Sequence, residues 1–198
     1  MSKTFPVVYL ARHGETAWSL TGQHTGLTDL PLTERGEENA RRLGEPLRHL
    51  TFAKVLTSPL QRAMRTCELA GFQSVAEIDR DLVEWDYGEY EGRLKIDILR
   101  ERPDWDLFRD GCPGGESPQQ VATRADRVVQ RAKALTGNTL LFSSGHFLRV
   151  LATRWIEIKP VSGQSLMLGT ASLSSLSYEN SLSQPAISFW NDTHHVLT

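Results

Sequence analysis

The sequence contains 198 residues, of which 39% are hydrophobic and 23% are charged, and its formal net charge is −2. These values are ordinary for a folded globular protein with a sizeable core, and they argue against a disordered chain. The length suits a single domain over residues 1–198. Because the net charge offers no broad basic field for nucleic acid, we expect no nucleic-acid partner.

No stretch of the sequence approaches 18 apolar residues, and residues 1–9 lack the apolar run of a signal peptide. We therefore expect no membrane partner and a cytoplasmic location. The two cysteines, Cys67 and Cys112, show no spacing typical of a zinc site, so no metal site is expected. Two reduced thiols are favoured over a disulfide.

Short apolar runs alternate with amphipathic segments along the chain. The runs predict strands at residues 7–11, 54–57, 75–78 and 139–143, and the amphipathic segments predict helices at 33–50, 59–70, 117–135 and 146–156. Residues 15–33 and 103–117 are predicted loops. Residues 172–178 and 186–190 alternate like two antiparallel strands. Strands that alternate with helices predict a three-layer α/β/α sandwich with a mainly parallel central sheet.

Three clusters of polar residues follow predicted strands. Arg12 and His13 follow the first strand, residues 58–62 follow the second, and residues 143–146 follow a later one. Ligands of open α/β sheets bind outside the carboxyl ends of the strands. These clusters are therefore the candidates for a ligand site.

His13 is the candidate nucleophile. A neutral imidazole can attack phosphorus and form a phosphoenzyme, and the negative phosphoryl oxygens then need cations beside them. Arg12 supplies a planar fork that can hold two oxygens, and Gly14 lets the backbone approach closely. An Arg-His-Gly tripeptide taken alone would suit a loop cap better, so the assignment depends on the flanking residues.

A series of motifs runs through nearly the whole chain. The motifs are Arg12-His13-Gly14-Glu15-Thr16, Trp18-Ser19, Thr25-Gly26, Leu32-Thr33, Thr57-Ser58-Pro59-Leu60-Gln61-Arg62-Ala63, Glu84-Trp85-Asp86-Tyr87-Gly88-Glu89-Tyr90-Glu91-Gly92, Gly114-Gly115-Glu116-Ser117 and Ser144-Gly145-His146-Phe147-Leu148-Arg149. In this order they resemble the histidine phosphatase superfamily, the phosphoglycerate-mutase-like proteins. The 22–33 loop is similar to that of sedoheptulose-bisphosphatase-type sugar phosphatases and their bacterial acid-phosphatase relatives.

This resemblance implies a role for each matching residue. His13 is implied to be the phosphorylated histidine, and Glu84 the proton donor. Arg12 and Arg62 match the two arginines of the phosphate pocket. Positions that line the pocket or contact substrate are matched by Ser19, Gln23, Thr25 and Gly26. Because the arginines supply positive charge, no metal or other cofactor is expected.

Glu84 also suits its role on chemical grounds. It lies among Trp85, Tyr87 and Tyr90, and an aromatic wall favours the protonated form that a general acid requires. Residues 116–117, in contrast, are expected to cap the following helix, with the orientation of a pocket arginine as the alternative.

The sequence departs from the family at one position. The family's second catalytic histidine directly precedes a glycine, which here is Gly145, and the residue before it is Ser144. His146 matches the second histidine of the triplet His-Gly-His in related phosphatases, so Gly145 and His146 are assigned to substrate binding. Losing one donor to the phosphoryl group typically costs about 2.7–4 kcal/mol. An engineered substitution, a naturally slow enzyme and a pseudoenzyme are all compatible with Ser144.

The favoured function is hydrolysis of small phosphate monoesters through a phosphohistidine on His13, and the 22–33 loop suggests sugar phosphates. Two alternatives stay open. One is a phosphoglycerate mutase, which the short chain disfavours, and the other is a non-catalytic protein that binds phosphorylated ligands, which Ser144 favours. The two C-terminal strands are compatible with a homodimer edge and equally with an unpaired edge.

Overall fold

The computed structural model describes residues 5–196. Residues 1–4 and 197–198 lie outside the described residues, so the assignment of 1–198 to one domain stays a prediction. The described residues form six strands in one sheet: β1 (Val8–Arg12), β2 (Phe52–Thr57), β3 (Ala76–Ile78), β4 (Asn138–Ser143), β5 (Leu173–Tyr178) and β6 (Pro185–Asp192). Each predicted strand is present, with ends that differ by one or two residues.

The strand order is β3-β2-β4-β1-β5-β6. β2 pairs in parallel with β3 and β4, and β1 pairs in parallel with β4. β5 runs antiparallel to both β1 and β6, so the predicted C-terminal pair forms one edge of a mainly parallel sheet. Because β1 and β4 are parallel neighbours with Arg12 opposite Ser143, their carboxyl ends meet at the same end of the sheet.

Helices cover both faces of the sheet, which confirms the predicted sandwich. α2 (Glu34–Leu47) and α3 (Gln61–Leu69) cover one face, and α6 (Pro118–Lys133) and α7 (Gly145–Trp155) cover the other. The first core includes Leu43, Leu47, Val55, Cys67 and Phe142, and the second includes Leu10, Val121, Val128, Phe147 and Leu151. Burying each large apolar side chain stabilises the fold by roughly 1.5–3 kcal/mol.

Three short helices lie outside the predicted elements. α1 (Ala17–Thr21) falls in the predicted loop 15–33, and α5 (Leu107–Asp110) falls in the predicted loop 103–117, so both loop predictions are wrong there. α4 (Lys95–Glu101) falls in a segment with no predicted element. All three are at most two turns long, and such short helices show too little apolar periodicity to be read from sequence.

Some of the residues that cap the N-termini of the helices can be predicted from the sequence, and others cannot. Thr33 and Ser117 are the N-caps of α2 and α6, as predicted. α1 begins with a capping box in which Thr16 and Ser19 exchange side chain to backbone hydrogen bonds, without the glutamate or glutamine that usually marks the motif. α3 begins at Gln61, two residues after the predicted start of this helix, so Pro59 precedes the helix instead of lying in its first turn.

The described residues also bear on the expectations about the two cysteines, membrane-spanning segments and metal sites. Cys67 and Cys112 are both buried and unpaired, as predicted. Within residues 5–196 no helix is long and apolar enough to cross a bilayer. In the same part of the chain, no group of three or more His, Cys, Asp or Glu side chains is arranged to hold a metal ion.

Candidate active site

A cleft of about 120 Å³ opens at the carboxyl ends of β1 and β4. Its lining includes eight of the predicted site residues: Arg12, His13, Ser19, Gln23, Thr25, Glu84, Gly145 and His146. The other three, Gly26, Arg62 and Ser144, are buried beside lining residues. A larger cavity of about 530 Å³ beside α2, α3 and β3 contains none of the predicted residues, so we place the candidate site in the smaller cleft.

His13 is fixed at the end of β1 with only 3% of its surface exposed. Its backbone N–H donates to the carbonyl of Ser143 on β4, and its own carbonyl accepts from the N–H of Ala171 before β5. Its ring Nδ1 lies 2.7 Å from the carbonyl oxygen of Gly14. A carbonyl can only accept, so Nδ1 carries the proton and Nε2 of the neutral ring has a free lone pair.

The surroundings of His13 favour this neutral form. The pKa of His13 lies well below its ordinary value of 6.5, first because burial disfavours the charged ring, and then because Arg62 and Arg12 repel it. The Gly14 carbonyl acts in the opposite direction and is outweighed. The arrangement therefore supplies a neutral imidazole beside two cations, which is what attack on a phosphoryl group requires.

Arg12 and Arg62 are held by backbone carbonyls instead of carboxylates. Arg12 Nη1 donates to the carbonyl of Leu168, and Arg62 is fully buried with three carbonyl partners in residues 25–28. The Nε atoms of both arginines are buried and have no hydrogen-bond partner among the described residues 5–196. Two guanidinium groups without a paired anion carry positive charge that a bound phosphoryl group can neutralise.

The loop that holds Arg62 depends on Gly26. The carbonyl of Gly26 accepts from Arg62 Nη2 at 2.7 Å, and its N–H donates to the carboxylate of Glu91 at 2.8 Å. A Cβ atom at position 26 would lie 2.6 Å from both the Glu91 carboxylate and the carbonyl of Trp85. Gly26 therefore shapes the arginine's support, whereas the neighbouring Thr25 is the residue that lines the cleft.

Glu84 lies under the start of α7, with 4% of its surface exposed. Its carboxylate accepts from the backbone N–H groups of His146 at 3.0 Å, Phe147 at 2.7 Å and Trp85 at 2.9 Å. The sequence predicts aromatic neighbours for this carboxylate, and Tyr87 lines the cleft with it, but the three main-chain donors were not predicted. The Trp85 side chain turns away and donates to the carbonyl of Glu116.

Ser144 is the N-cap residue of α7, yet its hydroxyl makes no cap hydrogen bond. The hydroxyl oxygen is buried without a partner, and the residue has no exposed surface. A Cβ atom on the following Gly145 would lie 3.2 Å from Nε and Cζ of Arg12, so the glycine leaves room for that guanidinium. Ser144 Oγ and the two arginine Nε atoms are thus unpaired polar atoms in the elements that form the cleft.

Ser19 and Gln23 line the cleft, but their polar groups also serve the backbone. Ser19 Oγ accepts from the N–H of Thr16 and donates to its carbonyl. Gln23 Nε2 donates to the carbonyl of Gly92 at 2.8 Å. Both side chains therefore fix the 16–23 segment, and their contact with substrate stays a prediction.

The wall of the cleft around the predicted residue His146 is aromatic, and it also contains residues without a predicted role. The hydroxyl of Tyr87 lies 2.5 Å from Nδ1 of His146. The ring of His24 lies 4.8 Å from that of Tyr87, and the ring of Phe108 lies 5.5 Å from that of His146. Arg149 places its guanidinium 4.5 Å from the Phe108 ring.

Some of these wall residues carried a readable signal. Arg149 follows His146 by three positions on one helix, and such neighbours share a face. From its sequence context, His24 is equally compatible with substrate contact and with exposure to solvent, and the structure places it in the cleft lining. Leu168 lies in an irregular segment with no pattern that could have identified it.

Folding stability is expected to fall as the pH drops below about 6.5. Burial lowers the pKa of His13, His24 and His146 in the folded protein. In the unfolded chain these rings take up protons near pH 6.5, so their stabilisation is complete above that pH and is lost progressively below it. Urea unfolding at about pH 7.5 and about pH 5.5 measures the loss. The loss should be smaller in His146→Asn, and an equal loss in the variant would contradict this prediction.

With the fold and the cleft described, the comparisons identify the class of protein. The family model for the histidine phosphatase superfamily (branch 1) matches residues 8–193. The chain belongs to this superfamily. A solved structure of an open reading frame product from Mycobacterium tuberculosis has the same fold, with a TM-score of 0.89 and 36% identity. The match covers 96% of this chain and 99% of the other.

Two of the relatives in the family are named as phosphatases. The chain is 41% identical over 182 residues to an acid phosphatase of Mycobacterium tuberculosis, which covers 90% of this chain and 89% of the relative. It is 37% identical over 191 residues to sedoheptulose 1,7-bisphosphatase of Saccharomyces cerevisiae, and this match covers 80% of this chain and 70% of the relative. These relatives confirm the prediction of a phosphatase enzyme.

Proposed function

We propose that this protein hydrolyses small phosphate monoesters, with sugar phosphates as the substrate class, through a phosphohistidine on His13. The observation that carries the proposal is the free Nε2 of a buried, neutral His13 beside Arg12 and Arg62, whose Nε atoms lack partners. The sugar-phosphate class is supported by the similarity to a relative named sedoheptulose 1,7-bisphosphatase.

The reaction has two steps. His13 Nε2 attacks phosphorus, the bond between phosphorus and the ester oxygen breaks, and Glu84 gives that oxygen a proton. Glu84, now a carboxylate, then takes a proton from water as the water attacks the phosphohistidine and releases inorganic phosphate. Arg12 and Arg62 neutralise the phosphoryl oxygens in both steps. Their charge takes the part that a metal ion plays in other phosphatases.

Ser144 reduces the rate of this reaction without changing its course. Its hydroxyl can donate one hydrogen bond to a phosphoryl oxygen, but it cannot carry a positive charge. The histidine that the family has there would supply both. The cytoplasmic location and a homodimer stay predictions.

Trapping of the phosphoenzyme tests the proposal. Protein mixed with p-nitrophenyl phosphate labelled in the phosphoryl group is quenched in alkali, where phosphohistidine persists, and the labelled peptide is sequenced. We expect label on His13 that is lost in acid, release of inorganic phosphate, and no label in His13→Asn. Phosphate release with no label on His13 would overturn the proposed route.

The same preparation separates the alternatives. A mutase would pass the label to 3-phosphoglycerate and would respond to a bisphosphoglycerate primer, whereas we expect the label to go to water. A pseudoenzyme would bind a sugar phosphate, detected by calorimetry, without label or phosphate release. Either result would replace the hydrolase assignment.

A further inference from the structure

The segment that carries Glu84 has little regular structure of its own. A short 3₁₀ helix (Arg80–Leu82) precedes it and another (Gly88–Tyr90) follows it, so residues 83–87 belong to neither a helix nor a strand. Ser143 at the end of β4 donates to the carbonyl of Leu82 at 2.6 Å. Further contacts to the segment come from Arg124 on α6 and from Glu116, which precedes that helix.

Arg124 on α6 provides that support through its whole guanidinium group. Its Nη1 donates to the carbonyls of Asp81 at 2.7 Å and Val83 at 2.8 Å, and its Nη2 donates to the carbonyl of Glu84 at 3.3 Å. Nε and Nη2 also donate to the carboxylate of Glu116 at 3.1 and 2.8 Å. These contacts use all five N–H donors of an arginine.

Glu116 extends the same support to the other side of Glu84. Its carboxylate accepts from the N–H of Asp86 at 3.0 Å, and its carbonyl accepts from Trp85 Nε1 at 2.9 Å. Its own N–H donates to the carbonyl of Asp86. Glu116 therefore pairs with Arg124, which is not one of the two pocket arginines. The alternative prediction, that residues 116–117 orient a pocket arginine, is corrected in this way.

The pair is also joined to the helix that binds the Glu84 side chain. The Arg124 guanidinium lies 4.6 Å from the centre of the Phe147 ring, and the N–H of Phe147 donates to the Glu84 carboxylate. Arg124 is 7% exposed, so its charge is largely removed from water. A buried ion pair is in general weak evidence for a contribution to folding stability. The geometry of the Arg124–Glu116 pair is therefore the feature that needs an explanation.

We propose that Arg124, paired with Glu116, is a positioning residue that fixes the backbone of residues 81–86 so that the Glu84 carboxyl group reaches the leaving oxygen. This role rests on the proposed function, because it acts through the proton transfer assigned to Glu84. Arg124 is not one of the residues that line the cleft, so its effect on the reaction has to pass through Glu84. A misplacement of about 1 Å in a catalytic group can cost roughly 10²-fold in rate.

Two phosphate esters whose leaving groups differ in their need for a proton separate positioning of Glu84 from general structural support. Phenyl phosphate releases phenoxide, a poor leaving group, whereas p-nitrophenyl phosphate releases a stabilised phenolate. In Arg124→Gln we expect kcat/KM to fall roughly 10–10²-fold for phenyl phosphate and much less for p-nitrophenyl phosphate. In a Glu84→Gln background the same substitution should cost little more, because the group through which it acts is gone.

Arg127→Gln is the matched control. Arg127 lies one turn further along α6 and pairs with the side chain of Asp81 on the surface, with 51% of its own side chain exposed. We expect it to leave both esters unchanged. If Arg124→Gln does not fold, Glu116→Gln replaces it, because this variant keeps the shape of the side chain and removes the charge that holds Arg124. The same pattern is expected.

Equal slowing of both esters by Arg124→Gln, or a full effect in the Glu84→Gln background, would overturn the positioning role and leave the proposed function intact. Equal slowing of both esters by Glu84→Gln alone would instead overturn the proton-donor role in the proposed function, and the positioning role with it.

Discussion

Replacement of Ser144 with histidine is expected to raise kcat/KM for p-nitrophenyl phosphate roughly 10²-fold or more. The proposed function places Ser144 where the family has a second catalytic histidine, and its hydroxyl has no hydrogen-bond partner among residues 5–196. An imidazole there restores a donor to the phosphoryl oxygens, next to Arg12 and His13. Removing one donor of this kind costs roughly 10²–10³ in rate, so adding one back should recover a similar factor.

Two further variants at the same position test whether the gain comes from the donor. Ser144→Asn adds a longer neutral donor, and we expect it to lie between the wild type and Ser144→His. Ser144→Ala removes a hydroxyl that is buried without a partner, so it should leave the free energy of unfolding nearly unchanged. Its activity then reports what the serine itself donates.

The outcomes at position 144 have distinct meanings. A rise in Ser144→His alone would show that the phosphatase site is intact and limited by one donor. Equal activity in the wild type and Ser144→His would contradict the view that this position limits the rate. If neither protein turns over while a sugar phosphate still binds, the cleft is a binding site and the enzyme interpretation fails.

The ends of the strands that carry the site could be predicted from sequence, because β1 and β4 contain short apolar runs that polar residues follow at once. Arg12 and His13 lie at the end of β1, and Gly145 follows β4 by two positions, as predicted. The parallel pairing of those two strands follows from the alternation of strands and helices. That pairing brings the two polar clusters together.

The immediate partners of these residues could not be predicted in the same way. Glu84 is bound by main-chain N–H groups 62 and 63 positions further along the chain, and a main-chain group leaves no mark in the sequence. The carbonyls that hold Arg62 are equally invisible. Motifs therefore indicated which side chains meet, whereas the backbone contacts that orient them depend on tertiary packing.

Glu84→Gln is expected to lower kcat/KM for phenyl phosphate roughly 10²-fold or more, and to lower it far less for p-nitrophenyl phosphate. Glutamine cannot give a proton to the leaving oxygen, and phenyl phosphate depends on that proton more strongly than its nitro derivative. The quantity kcat/KM reports the steps up to the first irreversible one, which in the proposed route is phosphorylation of His13. Slow hydrolysis of the phosphohistidine therefore does not enter the comparison.

The ratio between the two esters is the decisive number, because the substitution also disturbs local structure. The carboxylate accepts three backbone N–H donors through its two oxygens, and an amide nitrogen in place of one oxygen would face a donor with a donor. That cost is the same for both substrates, so it cancels from the ratio. Glu89→Gln, an exposed glutamate in the same segment, is the control and should alter neither ester. A ratio unchanged from wild type would show that Glu84 orients the site without acting as its proton donor.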